Sequence, residues 1–389
     1  MNDRDKAWAY LSRVVEGPSA HIYRLLEQGY SVEEIAHGVS HRSDWIGGLL
    51  KETQARWDWR RYEEDLKIIS DLGGRLVTPD SLEWPREECE QAFGFAASGV
   101  SEHVRSYQAD ALPPHALWVR GADLNTTIVF SVGVVGTRAV SRYGKLATRQ
   151  LVQGLVDKHV GIISGGAIGI DSIAHTQALH RGGRTTVVTA CGLDRTYPAR
   201  NADLFEQIVN NGGCIISEYP PGTTPQRHRF LTRNRLVAAL SLGTVVVEAA
   251  WRSGALNTLS WAAGFGRVAM AVPGPITGVS SLGCHERIRR GEAELVCSAD
   301  EIRALISKIG QVDIDGHYED EFAANAVQKL SRNELRVYDA LPMFNNFGLD
   351  ASSIAKNTGL PLGLTMHLLI DLENKSIVRR DKNQWCRQE

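Results

Sequence analysis

At 389 residues the chain fits two or three domains, and 43% hydrophobic with 23% charged residues is the composition of a globular protein without a membrane-spanning run. Six cysteines without a C-x-x-C pair fit reduced thiols rather than a zinc site or a disulfide framework, and the acid-bearing start argues against a signal peptide, so the expected setting is cytoplasmic. The net charge of −2 conceals a basic middle: residues 131–300 hold 18 Lys/Arg against 11 Asp/Glu, whereas residues 1–130 hold 14 against 21. Sixteen of those 18 cations are arginines, the side chain suited to bidentate phosphate contact and base stacking.

In chain order, residues 1–68 read as a small helical module of the SAM or helix-hairpin-helix kind, with apolar periodicity through Trp8, Leu11, Val14, Ile22, Leu25 and Ile35. A strand and turn follow at 73–79 and a short strand at 117–121. From there apolar strands alternate with helices: strands at 128–135, 160–164, 185–190, 214–217, 244–247 and 267–272, helices at 144–158, 170–181, 202–211, 233–241 and 254–264. Such alternation predicts a Rossmann-like, mostly parallel sheet with helices on both faces, spanning 69–308 with a core at 128–300. An acidic linker at 309–328 leads to helices at 333–340, 351–358 and 362–373 and two short strands, the pattern of a winged helix over 329–389.

Two glycine turns each follow a predicted strand: Gly133-Val134-Val135-Gly136-Thr137-Arg138, and SGGAIGID at 164–171. A strand-to-helix turn aims free amides and the helix dipole at an anion, and glycine lets the backbone come close. Neither the G-x-G-x-x-G fingerprint nor a G-x-x-x-x-G-K-[ST] loop is present, so no nucleotide cofactor is expected. No catalytic triad or metal-spaced set of ligands stands out, and neither a catalytic residue nor a metal is assigned. Asp171, at a helix start, reads as a loop-ordering residue. A third region reads as a turn ahead of the 233–241 helix. There Arg227, Arg229, Arg233 and Arg235 surround Phe230, the combination of cations and an aromatic face that single-strand binders use; a core role for Phe230 is equally open on this pattern alone.

Thr137-Arg138, SGGAIGID, Gly192-Leu193-Asp194 with Tyr197-Pro198, Ser217-Glu218 and Phe230 ahead of Arg233-Asn234-Arg235 occur in order. They are joined by Val247-Glu248-Ala249, Ser253-Gly254-Ala255-Leu256-Asn257-Thr258 and Val272-Pro273-Gly274. As an ordered set over residues 70 to 300 this resembles the DNA-processing protein A (DprA/Smf) family of bacteria. The resemblance implies a non-enzymatic recombination mediator that binds single-stranded DNA, forms a homodimer and loads the RecA recombinase during natural transformation. It implies DNA contact by Arg138, Ser164, Gly165, Gly166, Arg227 and Phe230. Arg229 belongs to the same cluster, Asn234 and Arg235 lie beside it, and Arg200 stands in for a lysine that many members carry where this chain has Ala199. Cys284-His285 also departs from the family's usual pair. Two alternatives are weighed. Glu248 after Gly243-Thr244 resembles the turn of nucleotide-hydrolysing phosphoribohydrolases, but their Pro-Gly-Gly is missing, and Glu248 reads better as loop-ordering. A DNA-binding regulator acting through the winged helix is weakened by a recognition helix without Lys or Arg.

Overall fold

The structure is a computed structural model and describes residues 3–100, 110–307, 326–327, 329–343 and 348–388. Nine strands form one sheet: β1 (Gly74–Val77), β2 (Leu117–Gly121), β3 (Ser131–Val135), β4 (Gly161–Ser164), β5 (Thr185–Thr189), β6 (Cys214–Ser217), β7 (Gly243–Val246), β8 (Val268–Ala271) and β9 (Glu294–Leu295). Their order is β1-β2-β6-β5-β4-β3-β7-β8-β9. β6 through β9 run parallel, while β2 lies antiparallel on β6 and β1 antiparallel on β2. This is the Rossmann-like α/β fold that the alternating pattern predicts.

The apolar strands are needed because both faces are covered. Val134, Ile162 and Val245 point into a core with helices Arg142–Asp157 and Ile170–His180. Their neighbours Val135, Ile163 and Val246 point into the opposite core, against Arg227–Ala239 and Ala255–Gly264. A period of two thus divides one strand between two interiors, and each buried Val or Ile contributes ~1.5–3 kcal/mol. From β3 the chain winds outward through β4, β5 and β6, then returns to place β7 on β3's other side. The crevice beyond the carboxyl ends of β3 and β7 is therefore the topological switch point, where such sheets bind ligands.

The expected strand at 128–135 starts later. Asp123 accepts from the Thr126 amide and caps a short helix, Leu124–Ile128, and Phe130 at φ +49° reverses the chain before β3 begins at Ser131. The expected helix at 233–241 starts earlier, at Arg227. Gln226 is extended after Pro225, and Arg and Leu propagate a helix readily once it begins. The arginine cluster is thus helical, and its members face different surroundings.

The chain divides into two compact units, Met1–Val312 and Asp313–Glu389. In the first, helices Asp3–Val14, Ala20–Glu27 and Val32–Ser40 pack around Trp8, Leu11, Ile22 and Ile35. They join the sheet domain through Arg13, whose Nε donates to Asp65 Oδ2 at 2.7 Å and whose Nη2 donates to the Pro221 carbonyl at 2.6 Å. The second unit holds helices Arg332–Asp339, Ala351–Thr358 and Leu362–Asn374 and an antiparallel hairpin, Val378–Asp381 with Gln384–Arg387, around Leu369 and Trp385. The stretch read as an acidic linker, 309–328, lies outside the described residues apart from Ala326 and Val327.

Candidate nucleic-acid interface

The two glycine turns interlock at the carboxyl edge of the sheet. The Ile170 amide donates to the Thr137 carbonyl at 3.2 Å. Gly169 between them sits at φ +98°, where a Cβ would strike the Thr137–Arg138 backbone. Glu248, fully buried at the end of β7, ties the first turn down. Its carbonyl accepts from the Thr137 amide at 2.7 Å and its Oε2 from the Ser141 amide at 2.9 Å. Asp171 does the same for the second turn, its Oδ2 accepting from the Gly165 and Ala167 amides at 3.2 and 3.3 Å. Burial pushes the Asp171 carboxyl above the usual carboxylate range, against the pull of the Arg233 charge and these amides.

Those bonds change what the glycines do. The Gly165 amide is spent on Asp171, and its carbonyl accepts from Arg233 Nη1 at 2.6 Å. A Cβ on Gly165 would collide with the Arg233 guanidinium, and one on Gly166 with Phe205 and Val187. Both positions demand glycine because the protein's own interior fills the space, a reason independent of any ligand. Ser164 is fully buried and donates Oγ to the Val134 carbonyl at 2.6 Å.

In front of these turns lies a cleft of 1010 Å³. Five of its described lining residues are arginines (Arg138, Arg227, Arg233, Arg252 and Arg287), and one, Asp171, is an acid. Arg138 is exposed, with its guanidinium carbon 5.5 Å from the centre of the Phe230 ring. Tyr197 lies on the same ring, with centroids 5.4 Å apart at a tilt of 47°. Phe230 is half-buried, and Arg227 one turn before it is exposed. Asn234 also lines the cleft and donates Nδ2 to Asn257 Oδ1 at 3.2 Å.

Of the predicted contacts, Arg138, Gly165, Arg227, Phe230 and Asn234 thus share one cleft. Arg200 is exposed but outside its lining. Ser164, Gly166, Arg229 and Arg235 are buried and lie outside that lining. Arg235 Nη2 donates to Glu218 Oε1 at 2.6 Å, with the two side chains 0% and 1% exposed, and its Nε reaches the Asp110 carbonyl at 2.9 Å. Burial raises the Glu218 pKa. Arg229 Nε donates to Glu16 Oε1 at 2.6 Å, tying the start of its helix to the N-terminal module. Burial would raise the Glu16 pKa, but bonds from Arg229 and His228 and the Arg56 charge lower it to about 2.

Tyr197, Trp251 and Arg252 are among the lining residues that were not singled out as contacts from the sequence. The usable signal was positional, since a loop directly after a parallel strand opens at the ligand-binding edge. Among the described residues no group of His, Cys, Asp and Glu could hold a metal ion, and no helix is long and apolar enough to cross a membrane.

Comparison with known proteins places this architecture. A family model, DNA recombination-mediator protein A, matches residues 97–307. A Mycobacterium tuberculosis protein named for DNA processing as DprA is 41% identical over 382 residues, covering 98% of this chain and 93% of its own length. Protein Smf of Escherichia coli is 41% identical over 258 residues, 64% of this chain and 68% of that one. Among solved structures, DNA processing protein A (DprA) from Streptococcus pneumoniae superposes with a TM-score of 0.60 at 28% identity, covering 81% of this chain and 99% of that one.

Proposed function

The chain belongs to the DNA recombination-mediator protein A (DprA/Smf) family, and on that premise we propose that the arginine-lined cleft at the switch point binds single-stranded DNA. The observation that carries the reading is the exposed pair Arg138 and Arg227 around the half-buried Phe230 ring. Guanidinium groups track phosphates while an aromatic face takes a base, and such a site accepts any sequence because every base has a π-face. At 1010 Å³ the cleft sits at the upper end of pockets built for one small molecule, roughly 300–1,000 Å³, and suits a run of nucleotides better than a mononucleotide. In this reading Arg138, Arg227 and Phe230 contact the strand directly. Asp171 and Glu248 hold the loops beneath it, and Arg229 and Arg235 hold the helix that carries Phe230.

The reading includes what the family resemblance implies further: no catalysis, action as a homodimer, and delivery of the strand to the RecA recombinase. Glu248 supports the non-enzymatic view. It is buried, it engages the Ser141 amide, and it is absent from the cleft lining, so it is not placed to attack or protonate a nucleotide there. A regulator reading gains nothing from the C-terminal unit, whose helix Leu362–Asn374 exposes Leu362, Leu364 and Ile370 and carries no Lys or Arg.

The test is filter binding of single- and double-stranded oligonucleotides at several salt concentrations. Single strands should bind in preference, with log affinity falling by about 0.7 per phosphate contact for each unit of log salt. Binding indifferent to salt would overturn the proposal. Release of free base from nucleoside monophosphates would revive the enzyme reading. Sedimentation and a RecA strand-exchange assay test the dimer and the loading step.

A further inference from the structure

The cleft lining includes side chains from the turn after β7 that the Phe230 site does not use. The chain leaving β7 makes a tight turn over 250–253, closed by the Ser253 amide on the Ala250 carbonyl at 3.0 Å. The base of that turn is pinned from below by the Gly283 amide, which donates to the Ala249 carbonyl at 2.8 Å. A Cβ at Gly283 would run into the Ala249 and Ala250 carbonyls, so the two strands of chain are in direct backbone contact. The tip of this braced turn carries Trp251 and Arg252.

Of the two, the tryptophan is the side chain that loses by standing in the open. Trp251 is 54% exposed, although tryptophan is among the side chains that gain most from burial. Arg252 is exposed, and no carboxylate among the described residues pairs with it. Arg287, also in the lining, is by contrast neutralised by an ion pair with Glu292. Both Trp251 and Arg252 line the same cleft as Arg138, Tyr197 and Phe230. An exposed aromatic face beside a guanidinium with no carboxylate partner among the described residues repeats, elsewhere in the lining, the chemistry of the Phe230–Arg138 pair.

Resting on the reading of the cleft as a single-strand site, we propose that Trp251 and Arg252 form a second nucleotide subsite, Trp251 stacking a base and Arg252 holding an adjoining phosphate. The strand then runs through the cleft from Phe230 to Trp251. An oligonucleotide too short to reach both residues engages the Phe230 side alone, and a longer one gains the second stack.

The experiment uses the full chain and a ladder of oligothymidylates. For lengths that span the cleft, Trp251→Ala should weaken binding by about five-fold to a hundred-fold, the range expected for losing one stacked base. For the shortest binding oligonucleotide it should change affinity little, and Trp251→Phe should restore most of the loss at every length. Arg252→Ala should lower the salt slope of long oligonucleotides by about 0.7 and leave that of the shortest unchanged. Steady-state emission gives an independent reading: the difference spectrum between the native chain and Trp251→Phe should be quenched on adding long oligothymidylate. Native affinity in Trp251→Ala at all lengths, or an equal loss at all lengths with an unchanged melting temperature, would overturn the second subsite. If the native chain binds no oligothymidylate, the reading of the whole cleft fails, and that outcome is distinct from either of these.

Discussion

The two faces of helix Arg227–Ala239 carry the same residue type to opposite ends. Toward the cleft, Arg227 is exposed and Phe230 half-buried, open to a partner. Toward the interior, Arg229, Arg233 and Arg235 are at most 9% exposed, engaged by Glu16, by the Gly165 and Val188 carbonyls, and by Glu218. An arginine run in a sequence thus measures two different quantities, positive charge offered to an anion and bracing of the fold. Here most of the run is bracing. The site's charge comes from Arg227 at the start of the run together with two residues distant in sequence, Arg138 and Arg252, that the turns after β3 and β7 bring to the same cleft.

The sharpest way to separate the faces is to remove one arginine from each. Arg235→Ala leaves Glu218 buried without its cation, which should destabilise the protein by about 3–5 kcal/mol in urea unfolding. Pairing Arg235→Met with Glu218→Gln should recover much of that loss, and a failure to recover would show that the ion pair is not what the position supplies. Phe230→Ala should weaken oligonucleotide binding by about 1–3 kcal/mol with no change in salt slope. If it lowers the melting temperature as Arg235→Ala does, the ring belongs to the inner face. Arg227→Ala should leave unfolding unchanged, reduce affinity severalfold and lower the salt slope by about 0.7. The smallest effect is expected at the Glu16 partner of Arg229 in the N-terminal module. Glu16 has a folded pKa of about 2 against an ordinary 4.5, so its contribution is complete above pH 4.5 and is lost as pH falls toward 2. The melting temperatures of the native chain and Glu16→Gln should therefore differ most above pH 4.5 and converge in acid.

Much of the fold was legible because parallel sheets covered on both faces leave long apolar strands, and Val132, Val134, Ile162, Val187 and Val245 spell them out. The region of the site was legible too, since glycine turns after β3 and β4 mark the ligand edge. The face of each arginine was not. Burying guanidinium groups inverts the polarity rule, so helix Arg227–Ala239 has no apolar stripe to orient it. The glycines carry a second requirement that the sequence does not display: a Cβ on Gly165 would meet Arg233, and one on Gly166 would meet Phe205. Trp251 passed unnoticed because an isolated tryptophan in a loop has no periodicity to set it apart.

The latch between the two turns has a thermodynamic consequence. Thr137 is held by Ile170 and Glu248, and Asp171 fixes the second turn, so in the proposed binding the floor of the cleft has no folding left to do. The loss of conformational freedom then falls on the nucleic acid. Calorimetry should accordingly show a heat-capacity change no larger than the buried contact surface accounts for, without the excess that marks a protein segment folding around its ligand.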